Sequence, residues 1–198
     1  MKFYEPNEGE IKLGNTKLKN ISPRFWRDHC GVVMQEGYVF NDTIAANIAV
    51  GHDRIDQEQL IKAARVANIY EYIQSLPLGF NTKIGNEGTG ISTGQKQRLF
   101  IARAVYKDPE ILFFDEATSA LDSKNERIVM ENLSEILKGK TVFVIAHRLS
   151  TVKNADQIVV IDQGKIVEQG THGQLVDFQG VYYDLVKNQL ELEKINTN

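Results

Sequence analysis

The sequence predicts an α/β fold: a mostly parallel sheet with crossover helices, and a helical segment inserted between two of its strands. Three observations carry this. Short, continuously apolar runs, "GVVM" (31–34), "ILFFD" (111–115) and "TVFVIAH" (141–147), have the character of strands buried on both faces. The last two runs flank a helix-length amphipathic stretch, which is the layout of a strand–helix–strand crossover. Between the first two, over residues 41–107, the apolar spacing turns helical.

Taken in order, "GEIKLG" (9–14) alternates with period two and ends on a turn signal, as a short strand does. In "SPRFWRDHC" Ser22 is placed to cap a short helix with Pro23 in its first turn. "TIAANIAVG" begins the helical segment. "DQEQLIKAARVANIYEYIQSL" (56–76) continues it as one helix, with Leu60, Ala64, Ala67 and Tyr70 on a common face and Pro77 and Gly79 as stops. "NERIVMENLSEILKG" reads as the crossover helix. "QIVVID" and "IVEQG" pair through the turn "QGK", and "GVYYDLVKNQLELEKINTN" is a terminal helix with a polar tail. The predicted organisation is one α/β domain, with residues 1–40 and 108–198 as its core and 41–107 as a helical subdomain.

Composition narrows the function classes. A net charge of −3 over 198 residues offers no basic footprint for nucleic acid. Cys30 is the only cysteine, so no internal disulfide forms, and its expected role is to fill the core. No apolar run approaches the roughly 18–20 residues that cross a bilayer, and "MKFYEPNEGE" has no signal-peptide core.

The chemistry gathers at strand ends. Asp115 and Glu116 close the apolar run "ILFF", and in open α/β sheets ligands collect at the carboxyl ends of strands. Two carboxylates there suit a magnesium-bound phosphate ester, one on the metal and one orienting and deprotonating a water. As an isolated string, Asp-Glu after a strand more often only caps a turn; the surroundings weigh against that here. In "ISTGQKQRLFIARA" (91–104), Ser92 is an N-cap and Gly94 permits close backbone approach at a helix N-terminus, an anion site by construction. Gln35 follows "GVVM" and His147 follows "TVFVIA", each positioned to hydrogen-bond a terminal phosphate.

In this order the motifs resemble the nucleotide-binding domain of ATP-binding cassette (ABC) proteins over essentially the whole chain. Gln35 matches the Q-loop glutamine, "ISTGQ" the signature loop, "ILFFD" the Walker B strand, Glu116 the catalytic glutamate, "SALD" (119–122) the D-loop and His147 the switch histidine. "YVFNDTIAANI", "LPLGFNTKIGNEG" and "DEATSALD" resemble the exporter branch, with a likeness to bacterial peptide and bacteriocin exporters. The resemblance implies a P-loop NTPase-like fold that binds ATP and Mg²⁺. Asp115 and Gln35 would attend the metal, and Glu116, His147 and Gln35 would act in catalysis. Ser92, Thr93, Gly94, Gln95 and Asp122 would serve the nucleotide across a head-to-tail pair of domains. The remaining implied partner is a transmembrane domain of the same transporter, which would place the domain at the cytoplasmic face of the membrane.

Two departures stand out. Ile91 and Thr93 replace the leucine and first glycine of the usual LSGGQ, leaving Ser92 and Gly94 in place. The 198 residues also contain no G-x-x-x-x-G-K-S/T phosphate loop, so the chain resembles a family domain without its first segment. Two other readings stay open: a non-catalytic module that docks to an intact partner, favoured by the missing loop, and a soluble ATPase of DNA repair or translation, disfavoured by the exporter-type wording and acidic charge.

Overall fold

Buried parallel strands need apolar residues on both faces, and the central strand shows it. A computed structural model of the chain describes residues 2–85, 88–145 and 152–195. In it, β6 (Ile111–Asp115) lies between β3 (Cys30–Val33) and β7 (Thr141–Ile145), parallel to both, in the order β3-β6-β7. The register pairs Val33 with Phe114 on one side, and Phe114 with Val144 and Asp115 with Ile145 on the other. All three strands therefore end at one edge. The chain divides into two units, residues 1–145 and 146–198.

In the first unit, a hairpin of β1 (Lys12–Leu13) and β2 (Thr16–Lys17) precedes α1 (Pro23–Asp28), where the Ser22 hydroxyl accepts from the Phe25 N–H as a cap. Cys30 is buried with Trp26 and Ile111, as a core filler would be. Between β3 and β6 come β4 (Asp42–Thr43), α2 (Ile44–Ile48), α3 (Gln57–Val66), α4 (Tyr70–Ser75), β5 (Lys83–Ile84) and α5 (Thr93–Tyr106). Ile44, Ile48, Leu60, Ala64, Leu99 and Ile101 share one buried cluster with Val33 and Leu112 of the sheet. Each large aliphatic side chain buried there is worth about 1.5–3 kcal/mol.

The single helix predicted over 56–76 is two. Asn68 takes a left-handed conformation, φ 52°, and breaks it. Its carbonyl accepts from Arg98 Nη1 at 2.7 Å and its Nδ2 donates to Asn125 Oδ1 at 2.9 Å, tertiary bonds that pin the break. The crossover helix α6 (Ser123–Ile136) starts earlier than its apolar pattern suggests because Asp122 caps it.

In the second unit β8 (Ile158–Asp162) and β9 (Lys165–Gly170) form the expected antiparallel hairpin, with Gln163 and Gly164 both at positive φ as its tight turn requires. A helix that the apolar spacing does not predict follows, α7 (His172–Phe178), and then α8 (Val181–Ile195). Thr171 and Gln174 make a capping box for α7, so the string "THGQ" was the available signal. Ile158, Val160, Leu175, Tyr182 and Val186 form this unit's core.

Both units present apolar strand surface to solvent. On β7, Phe143 is 54% and Ile145 60% exposed; on β8, Ile161 is 67% exposed. Such strands template association. The double substitution Ile145→Lys with Ile161→Lys is expected to raise the monodisperse fraction of the 198-residue polypeptide in light scattering; unchanged aggregation would show that these strands are not its cause.

Candidate functional site

Because β3 and β6 are parallel neighbours, residues just past their carboxyl ends meet although far apart in sequence. Gln35 lies two residues beyond β3 and Glu116 directly beyond β6, and Gln35 Nε2 donates to Glu116 Oε2 at 3.0 Å. Asp115 is the last residue of β6, in register with Ile145. The Glu116 backbone is left-handed, φ 48°, a conformation that costs a non-glycine residue about 1–2 kcal/mol. Three hydrogen bonds hold it: its N–H donates to the Ile145 carbonyl at 3.0 Å, and its carbonyl accepts from Ser119 N–H and from Gln97 Nε2, both at 3.0 Å. Backbone strain of this kind concentrates at functional sites. His147 lies outside the described residues.

Ser92 to Gln95 sit on a different element, the N-terminus of the 14-residue α5. The Ser92 hydroxyl accepts from the Gln95 N–H at 3.2 Å, and Gln95 Oε1 accepts from the Ser92 N–H at 2.8 Å, a capping box. The cap uses a lone pair of Ser92 Oγ and leaves its hydroxyl proton available to an anion. The positive end of the helix dipole favours that anion. Thr93 occupies the first helical position, and Gly94 follows with the Ala120 carbonyl only 3.4 Å from where a Cβ would stand. A Cβ there would stand in ordinary van der Waals contact with the loop after Glu116.

Asp122 has a structural task. It accepts from Lys124 N–H at 3.1 Å, Asn125 N–H at 3.0 Å and Asn125 Nδ2 at 2.5 Å. The Asn125 backbone N–H, then its side-chain amide, hold the Asp122 carboxyl below the usual carboxylate range. The described residues thus bring Gln35, Asp115 and Glu116 to one strand edge, and place Ser92, Thr93, Gly94 and Gln95 together at a helix end. Gln97, which sequence reasoning missed, links the two groups. A glutamine four residues before Ile101 on the buried stripe of α5 was its signal.

The chain is similar to known proteins in sequence and in fold. Residues 1–119 match the family profile described as ABC transporter. ABC transporter B family member 2 of Dictyostelium discoideum is 47% identical over 188 residues, covering 95% of this chain and 14% of that protein. The ATP-dependent lipid A-core flippase of Saccharophagus degradans is 46% identical over 189 residues, covering 96% of this chain and 32% of that protein. A solved structure of a bacterial Atm1-family ABC exporter with ATP bound superposes with a TM-score of 0.90 at 39% identity, over 95% of this chain and 33% of that one. The chain spans a third or less of the length of each of these proteins.

Proposed function

We propose, on the premise that this chain belongs to the ABC transporter family, that it is the ATP-hydrolysing domain of an exporter. The observation that carries the proposal is the Gln35–Glu116 hydrogen bond at the carboxyl edge of the sheet, beside Asp115. It sets a general base and an amide where a terminal phosphate and its attacking water would meet.

In this reading Glu116 accepts the proton of the lytic water. Gln35 orients that carboxylate through Nε2, which leaves its Oε1 for a metal or phosphate-bound water. His147, which lies outside the described residues, keeps the phosphate-sensing role that the family resemblance implies. The donor set fits magnesium. Among the described residues no three His, Cys, Asp or Glu side chains converge into an all-protein cage. Magnesium needs none, since it keeps water and phosphate oxygens and takes one or two protein ligands. Asp115 and Gln35 would hold it, and its charge would neutralise the phosphates.

The helix end at Ser92 faces no acid of its own chain through a hydrogen bond among those described, and we assign Ser92, Thr93, Gly94 and Gln95 to the nucleotide of a second, head-to-tail domain. Asp122 keeps the intervening loop in shape for that pairing. Residues 41–107 are then the helical signature subdomain, between core parts 1–40 and 108–198. No helix among the described residues is long and apolar enough to cross a membrane. We assign the transport path to a separate transmembrane domain on the strength of the exporter relatives. The exposed Met34, Tyr38 and Phe40 beside Gln35 are the surface we assign to it. The domain works at the cytoplasmic face.

The test is ATP-driven dimerisation. Ser92→Ala with Gly94→Asp removes a phosphate donor and adds a negative charge at the helix end. In the complete transporter, phosphate release and ATP-dependent closure of the domain pair are expected to fall together, roughly a hundredfold for turnover. Nucleotide binding to a single domain should persist. Unchanged closure, read by cross-linking across the domain pair in the ATP-loaded transporter, would overturn the assignment across the pair.

A further inference from the structure

Gln97 is 5% exposed and uses both ends of its amide. Nε2 donates to the Glu116 carbonyl at 3.0 Å and to Ser119 Oγ at 3.3 Å, and Oε1 accepts from the Ala120 N–H at 2.9 Å. A polar side chain on a buried helix stripe costs stability unless fully paired, and this one is fully paired to a single target, the loop from Glu116 to Ala120. That loop starts with a residue in a left-handed conformation, φ 48°, whose carboxylate is the one Gln35 contacts. Gln97 lies in the first turns of α5, the helix whose N-terminus carries Ser92 and Gly94.

We infer that Gln97 is a positioning residue that holds the strained backbone of Glu116, so that the aim of the Glu116 carboxylate depends on where α5 stands. This rests on the reading of Glu116 as the general base and deepens it. An anion drawn to the α5 N-terminus shifts or steadies α5, and the rigid amide fork of Gln97, five residues along the helix from Ser92, passes that displacement directly to the Glu116 peptide. The nucleotide that a domain serves across the pair thereby sets the readiness of the base in its own site. The bland alternative is that Gln97 only satisfies the buried polar groups of the loop. It predicts lost stability without a specific loss of chemistry.

Two variants separate these. Gln97→Met keeps the volume and removes every bond; Gln97→Glu keeps the acceptor for Ala120 N–H but cannot donate to the Glu116 carbonyl. Both are made in the complete transporter, alone and with Glu116→Gln, and kcat, KM, the Hill coefficient for MgATP and equilibrium ATP binding are measured. Both single variants are expected to lose about tenfold to a hundredfold in kcat, the loss that small misplacement of a reacting group brings. KM should stay within about twofold and the Hill coefficient should fall. In the Glu116→Gln background neither should reduce the residual rate further, because the residue acts through Glu116. Full turnover in Gln97→Glu overturns the inference, as does an equal loss with and without Glu116. If Gln97→Met fails to bind ATP, Gln97→Glu alone decides. Near-normal turnover in Glu116→Gln itself overturns the base assignment and this inference together, whereas an inactive Glu116→Gln beside a normal Gln97→Glu overturns the inference alone.

Discussion

Glu116→Gln is expected to lower MgATP turnover in the complete transporter by at least about a hundredfold while leaving ATP bound, because general-base catalysis contributes typically 10²–10⁴-fold. The geometry makes this substitution clean. Gln35 Nε2 donates to Glu116 Oε2 at 3.0 Å, and the oxygen of a glutamine amide can accept that same bond. The backbone bonds to Ile145, Ser119 and Gln97 do not involve the side chain, so the left-handed conformation at residue 116 is held in the variant too. What disappears is the basic lone pair that accepts a proton. Nucleotide affinity should hold or rise, because a carboxylate next to the phosphates becomes neutral. Steady-state phosphate release and equilibrium nucleotide binding, measured on the same preparation, check both halves. Turnover within a few fold of the parent would remove Glu116 from the base role and leave it as a capping residue of the turn.

The parts of this fold legible in the sequence are those set by neighbouring residues. Ser22, Ser92 and the turn at Gln163 and Gly164 declare themselves because a cap or a tight turn is a local transaction between a few adjacent groups. The strand "ILFFD" is legible because burial keeps Ile111 to Phe114 uniformly apolar, with a polar side chain only at its last residue, Asp115. Tertiary bonds hid the rest. The break at Asn68 depends on Arg98 and Asn125, thirty and fifty-seven positions away. The left-handed Glu116 depends on Ile145 and Gln97, and no string around residue 116 contains either requirement. Asp122 shows the converse. Its place in "SALD" suggests a nucleotide contact, and the structure gives its carboxylate three N–H donors from residues 124 and 125.

The 198-residue polypeptide by itself is expected not to bind MgATP at micromolar concentration. Most binding energy at triphosphate sites comes from a cradle of backbone N–H groups and a lysine that together neutralise the phosphates. No G-x-x-x-x-G-K-S/T run occurs among these residues. The groups at the strand edge are Asp115 and Glu116, and without a cradle two carboxylates repel a polyphosphate. A magnesium bridge to Asp115 gives at best millimolar affinity, about 4 kcal/mol. The α5 N-terminus adds one dipole end and one hydroxyl, and in the proposed head-to-tail pair it would serve the nucleotide of the second domain. Titration calorimetry with MgATP should therefore show no saturable heat below the millimolar range. Fusing a phosphate-loop segment from a relative ahead of residue 1 should restore micromolar binding, and Asp115→Asn in that fusion should weaken it again. Micromolar binding of one nucleotide per unfused chain would mean that a cradle exists elsewhere, with the exposed helix end at Ser92 and Thr93 the first place to substitute.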